Sequence, residues 1–103
     1  MTKLKNTIMA NKPGMEYHLK NISINRVKKG CSGFVKNPDN GAIVYINTEE
    51  NTVGPEAFMC RYADSTTDYR GYRNVWTKGL DELVAQVCIM LDKPVAETGE
   101  KRF

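Results

Sequence analysis

The strongest hydrophobic pattern in this chain lies towards its C-terminus. Leu80, Leu83, Val84, Val87, Met90 and Leu91 recur at spacings of three and four, which places them on one stripe of an α-helix. Asp81 and Glu82 fall in its first turn, where the helix dipole favours negative charge, and Lys93-Pro94 ends it. Gly79 is the expected N-cap, with Thr77 as its competitor.

Upstream the period shortens to two, and four strands are expected, at 15–27, 31–36, 42–47 and 57–63. In the first, Tyr17 and Leu19 share a face. Ile22 and Ile24 join them only if one residue is inserted near Lys20 or Asn21, which predicts a β-bulge or a strand buried on both faces at its end. Lys28-Lys29-Gly30 reads as a turn, and Asn37-Pro38-Asp39-Asn40-Gly41 as the clearest turn of the chain, closing a hairpin. The 42–47 run is apolar and β-branched, as a central strand requires; in 57–63, Phe58, Cys60 and Tyr62 alternate against Met59 and Arg61. Consecutive strands with short connections pair most simply as an antiparallel meander.

The expected fold is therefore α+β: a four-stranded antiparallel meander with the C-terminal amphipathic helix packed on one face. Residues 1–14 read as an N-terminal arm or short helical turn ended by Pro13-Gly14, 15–94 as a single domain, and 95–103 as a flexible tail. A helix on one side leaves the other side of the sheet wet or free to work.

Composition narrows the function classes. The 103 residues fit one domain, and 41% hydrophobic with 26% charged residues is too apolar for a disordered chain. A net charge of +3 is too small to imply nucleic-acid binding by itself, yet eight Lys and Arg precede residue 37 against Glu16 alone. Cys31, Cys60 and Cys88 are far apart and unpaired in number, which points to reduced thiols and a cytoplasmic location. Without closely spaced ligand pairs no metal site or cofactor is expected, and no apolar run approaches the ~20 residues that cross a membrane.

Catalysis is not expected. His18 is the single histidine, and no nucleophile turn or glycine-rich phosphate cradle accompanies it. The candidate binding groups are Tyr69, Arg70, Tyr72 and Arg73, in a polar segment between strand and helix, together with Arg26, Lys28, Lys29 and Arg61 on the sheet. Arginine forks suit phosphates and tyrosine rings suit unpaired bases, so the expectation is a non-catalytic module engaging DNA or RNA. For these lysines to act together, Lys20, Lys36 and Arg61 must share a sheet face. The plainer reading has Tyr72, Val75 and Trp76 in the core and both arginines paired with Asp64 and Asp68. A module that binds a larger protein, as inhibitor or adaptor, is the alternative, because Tyr, Trp and Arg dominate protein interfaces. Homodimerisation through a sheet edge or the open face is a further expectation.

Overall fold

A computed structural model describes residues 2–24, 28–48, 57–69 and 71–102; the side chains at 2, 21–24, 28 and 29 lie outside that description. The chain is α+β: α1 (Thr2–Asn11), β1 (Glu16–Ile24), β2 (Lys28–Lys36), β3 (Ile43–Asn47), β4 (Ala57–Tyr62), β5 (Val75–Lys78) and α2 (Gly79–Asp92), followed by a 3-10 turn at Val95–Glu97. The strands form one antiparallel sheet in the order β1-β2-β3-β4-β5, so the meander expected from sequence holds.

The sheet has five strands, not four. Val75–Lys78 alternates correctly but is only four residues long and runs directly into a helix, a length at which periodicity carries little signal. Its pairing with β4, from Ala57↔Lys78 to Cys60↔Val75, supplies what the local pattern lacks.

Nor is there a bulge in β1. Its register with β2 runs without an insertion from Glu16↔Lys36 to Ile24↔Lys28, so positions 22 and 24 keep the parity of His18 and Lys20. Lys28, Lys29 and Gly30, expected as a turn, are strand residues. The β2–β3 pairing covers only Ser32 to Lys36, so the far end of the β1–β2 hairpin extends past the rest of the sheet. Among the described residues no third strand pairs with this end, so the local phase slip is not held to one continuous sheet face.

Gly33 permits the close crossing of β1 and β2. Its φ is +141°, and a Cβ at this position would stand 2.0 Å from the His18 carbonyl oxygen and 2.8 Å from Leu19 Cα. Only glycine adopts that backbone without strain.

One face of the sheet is sealed by both helices. Val35, Val44, Ile46, Cys60 and Tyr62 meet Leu83, Val84, Val87, Met90 and Leu91 of α2, and Leu4 and Ile8 of α1 join the same core. Residues 1–14 were expected as an arm or helical turn; the ten-residue α1 is buried through an i, i+4 pair that is too sparse to stand out among its lysines. The α2 stripe is as expected. Its N-terminus is not: the flanking residue is Lys78, without a side-chain cap, while Thr77 gives its hydroxyl to the Phe58 carbonyl at 3.1 Å. The C-terminus is held by the β2–β3 turn. Asn37 and Asn40 both donate side-chain N–H groups to the Leu91 carbonyl, each at 2.9 Å.

Candidate functional site on the uncovered sheet face

Strand alternation decides what the other face carries. Across its middle run His18, Phe34, Tyr45 and Arg61, each opposite the next in the strand register. One step along lie Lys20, Ser32, Asn47, Met59 and Trp76, and beyond them Lys78. On the other side Glu16, Lys36 and Ile43 form a third row. Lys20, Lys36 and Arg61 thus share a face, as they must if they are to act together.

The rings form a cluster. Phe34 and Tyr45 lie 5.0 Å apart, tilted by 53°, and Tyr69 stands edge-on to both at 5.3 and 5.7 Å. Such edge contacts set a ring's negative face against a positive edge, adding about 0.5–1.5 kcal/mol per pair to simple burial. Phe34 and Tyr45 are buried, with Ile43 and Ala63, in a second small core. Tyr69 remains 55% exposed, so one ring seals the cluster while offering its outer side to solvent.

Arg61 lies over Tyr45, its guanidinium carbon 4.8 Å from the ring centroid, and its Nη1 donates to Asn74 Oδ1 at 3.4 Å. Its buried Nε has no hydrogen-bond partner among the described residues. A ring face and an amide hold this cation in place without neutralising it, so its charge remains available at the surface.

The loop that carries Tyr69 is shaped by a carboxylate clamp. Tyr72 donates its hydroxyl to Asp64 Oδ1 at 2.7 Å. Arg102 reaches back from the C-terminal segment to Asp64 Oδ2 at 2.5 Å and forks onto Asp68 at 2.7 and 3.0 Å. Planar bidentate pairing fixes orientation as well as distance. Gly71 makes room: with φ +136°, a Cβ there would lie 2.8 Å from Arg102 Nη1. The hydrogen bond to Asp64 favours the neutral phenol of Tyr72 and raises its pKa, with desolvation adding to the effect.

Several sequence expectations change here. Trp76, expected in the core, is 44% exposed on the open face, because the fifth strand gives it the parity of Met59 while Val75 packs inward. Tyr72 is buried in the clamp. Among the described residues Asp64 and Asp68 share Arg102, thirty-eight and thirty-four residues away, a separation no local pattern announces, and the expected pairing with Arg70 lies outside those residues. Arg73 is exposed. Arg26 and Arg70 lie outside the described residues, and Lys28 and Lys29 are described by backbone alone.

Phe34, Tyr45, Trp76 and Lys78 were missed as members of the site. Parity could have found the first two: once Val35 and Val44 are assigned to the helix side, their neighbours must face away. Among the described residues no three His, Cys, Asp or Glu side chains come together as metal ligands, and no helix is long and apolar enough to cross a membrane. No family model, curated protein or solved structure matches the chain.

Proposed function

We propose that this protein is a non-catalytic module that binds single-stranded DNA or RNA on the uncovered sheet face. The observation that carries the reading is the pairing of two exposed rings with cations on one side of the sheet. Tyr69 and Trp76 are 55% and 44% exposed, and Lys20, Lys36, Arg61 and Lys78 share their face. Unpaired bases stack on such rings with little regard to sequence, each contributing about 1–3 kcal/mol, while phosphates follow the cations.

Trp76 is the sole tryptophan, so its fluorescence reports directly on the site. Titration with oligo(dT) or oligo(U) is expected to quench it. If all four cations meet phosphates, the logarithm of affinity falls with the logarithm of salt at a slope of about −3, from ~0.7 per contact on a single strand. Absence of quenching with any single strand, or an affinity indifferent to salt, refutes the proposal. The same exposed Trp and Tyr also suit a protein partner. Recovery from lysate of one stoichiometric protein that survives nuclease treatment would favour that inhibitor or adaptor reading instead.

A further inference from the structure

The two edges of the sheet differ. β5 offers four residues, whereas β1 offers nine and pairs with β2 alone. None of the backbone hydrogen bonds formed outside helices and strands involves Glu16–Ile24, so the outer side of β1 is open among the described residues. A long open edge of this kind is a template for another strand.

The sequence of that edge is complementary to itself. In an antiparallel pairing of β1 with β1 of a second copy, centred on His18, Glu16 lies opposite Lys20 of the second copy and Lys20 opposite its Glu16. Tyr17 and Leu19 then face each other twice on the helix side. Centring the pair on Glu16 or on Lys20 would instead set like charges opposite, and no other centre sets Glu16 against Lys20. Directly opposed residues in such a pair have Cβ atoms about 4.5–5.5 Å apart, close enough for both ion pairs. Glu16, His18 and Lys20 are all exposed, and neither Glu16 nor Lys20 takes part in the ion pairs formed among the described residues.

The helix layer offers a second point of contact. α1 stands at this edge, with Lys5 Nζ 5.2 Å from the Tyr17 ring centroid. Met9, one turn further along α1 on the side of Lys5, is a large apolar side chain and 45% exposed. Edge pairing about a two-fold axis normal to the sheet keeps both helix layers on the same side. It therefore brings this face of α1 towards its counterpart.

From the open edge, the self-complementary segment Glu16 to Lys20 and the exposed Met9, we propose that β1 is a homodimer interface. It joins two five-stranded sheets into one of ten strands and sets their uncovered faces side by side. The proposal stands whether or not those faces bind nucleic acid.

Sedimentation equilibrium tests it. The wild-type chain is expected at twice its 11.6 kDa. Glu16→Lys and Lys20→Glu, each alone, turn both symmetry-related pairs repulsive and should weaken association at least about tenfold. The double variant Glu16→Lys/Lys20→Glu restores complementarity and should dimerise again. An equimolar mixture of the two single variants should form heterodimers, because each supplies the charge that the other lacks. Far-UV circular dichroism verifies folding, and the double variant still tests the register if a single one is unstable. A monomeric wild type, a dimer indifferent to single reversals, or a double variant that stays monomeric overturns the proposal.

Discussion

Replacing Asn37 by alanine should destabilise the domain far more than loss of a turn residue normally does. Asn37 is 6% exposed, and its amide does two jobs: Nδ2 donates to the Leu91 carbonyl at 2.9 Å, and Oδ1 accepts from the Asp39 N–H at 3.0 Å. Each such bond contributes about 1 kcal/mol net, so Asn37→Ala should cost about 2 kcal/mol. Asn40→Ala should cost about half to equally as much; its amide also bonds Leu91 O, but its side is more exposed. The informative quantity is the double variant. While either amide remains, the Leu91 carbonyl keeps a partner; when both are gone, a carbonyl on a fully buried residue is left unsatisfied, a further penalty of about 1–3 kcal/mol. The double variant should therefore exceed the sum of the singles by at least about 1 kcal/mol in urea unfolding with unchanged m-values. Thermal midpoints should fall by roughly 4–8 °C per kcal/mol for a domain of this size. Additivity within about 0.5 kcal/mol would refute the shared-carbonyl argument, and an Asn37→Ala cost below that figure would refute the role of the turn in holding α2.

Gly33→Ala should cost at least about 3 kcal/mol, since the new methyl would meet backbone at 2.0 Å in a left-handed φ region; near-wild-type urea stability would contradict the close β1–β2 crossing. Alkaline pH should destabilise the fold. Burial pushes the Cys60 thiol up to about 12 and also raises Cys31, Tyr17 and Tyr62. Groups whose pKa is raised on folding contribute fully below their unfolded values, and that contribution is lost as pH climbs through the folded ones. Urea midpoints should accordingly hold up to about pH 9 and fall beyond it, with a shallower fall in Cys60→Ala; an equal slope in that variant would exclude Cys60 as a source.

Much of the architecture was legible because it rests on local repetition. The α2 stripe, the Asn37–Gly41 turn and the alternation of β4 each confine their information to a dozen residues or fewer, and each appears as read. The bulge is absent because the β1–β2 register runs unbroken through the phase shift, which periodicity within one strand does not report. α1 and β5 were under-read because short elements draw their stability from what they pack against, and neighbours distant in sequence are invisible to a window.

The site divided along the same line. Tyr69 and Arg61 stand out by residue type; strand parity places Arg61 on this face, and Tyr69 reaches it from a loop through its contacts with Phe34 and Tyr45. Phe34, Tyr45 and Trp76 entered only once the register placed them beside those residues, and Arg102 only when the C-terminal segment returned to Asp64 and Asp68.

What the sequence determined by itself is the set of amphipathic faces, since periodicity is a property of neighbouring residues along the backbone. What tertiary structure decided is which of those faces is covered. Two helices seal the aliphatic side because α2 is tied at its C-terminus to a turn fifty residues upstream and α1 adds two buried side chains. The rings and cations of the opposite side are left together at the surface by that choice, which depends on contacts between distant segments rather than on any local pattern.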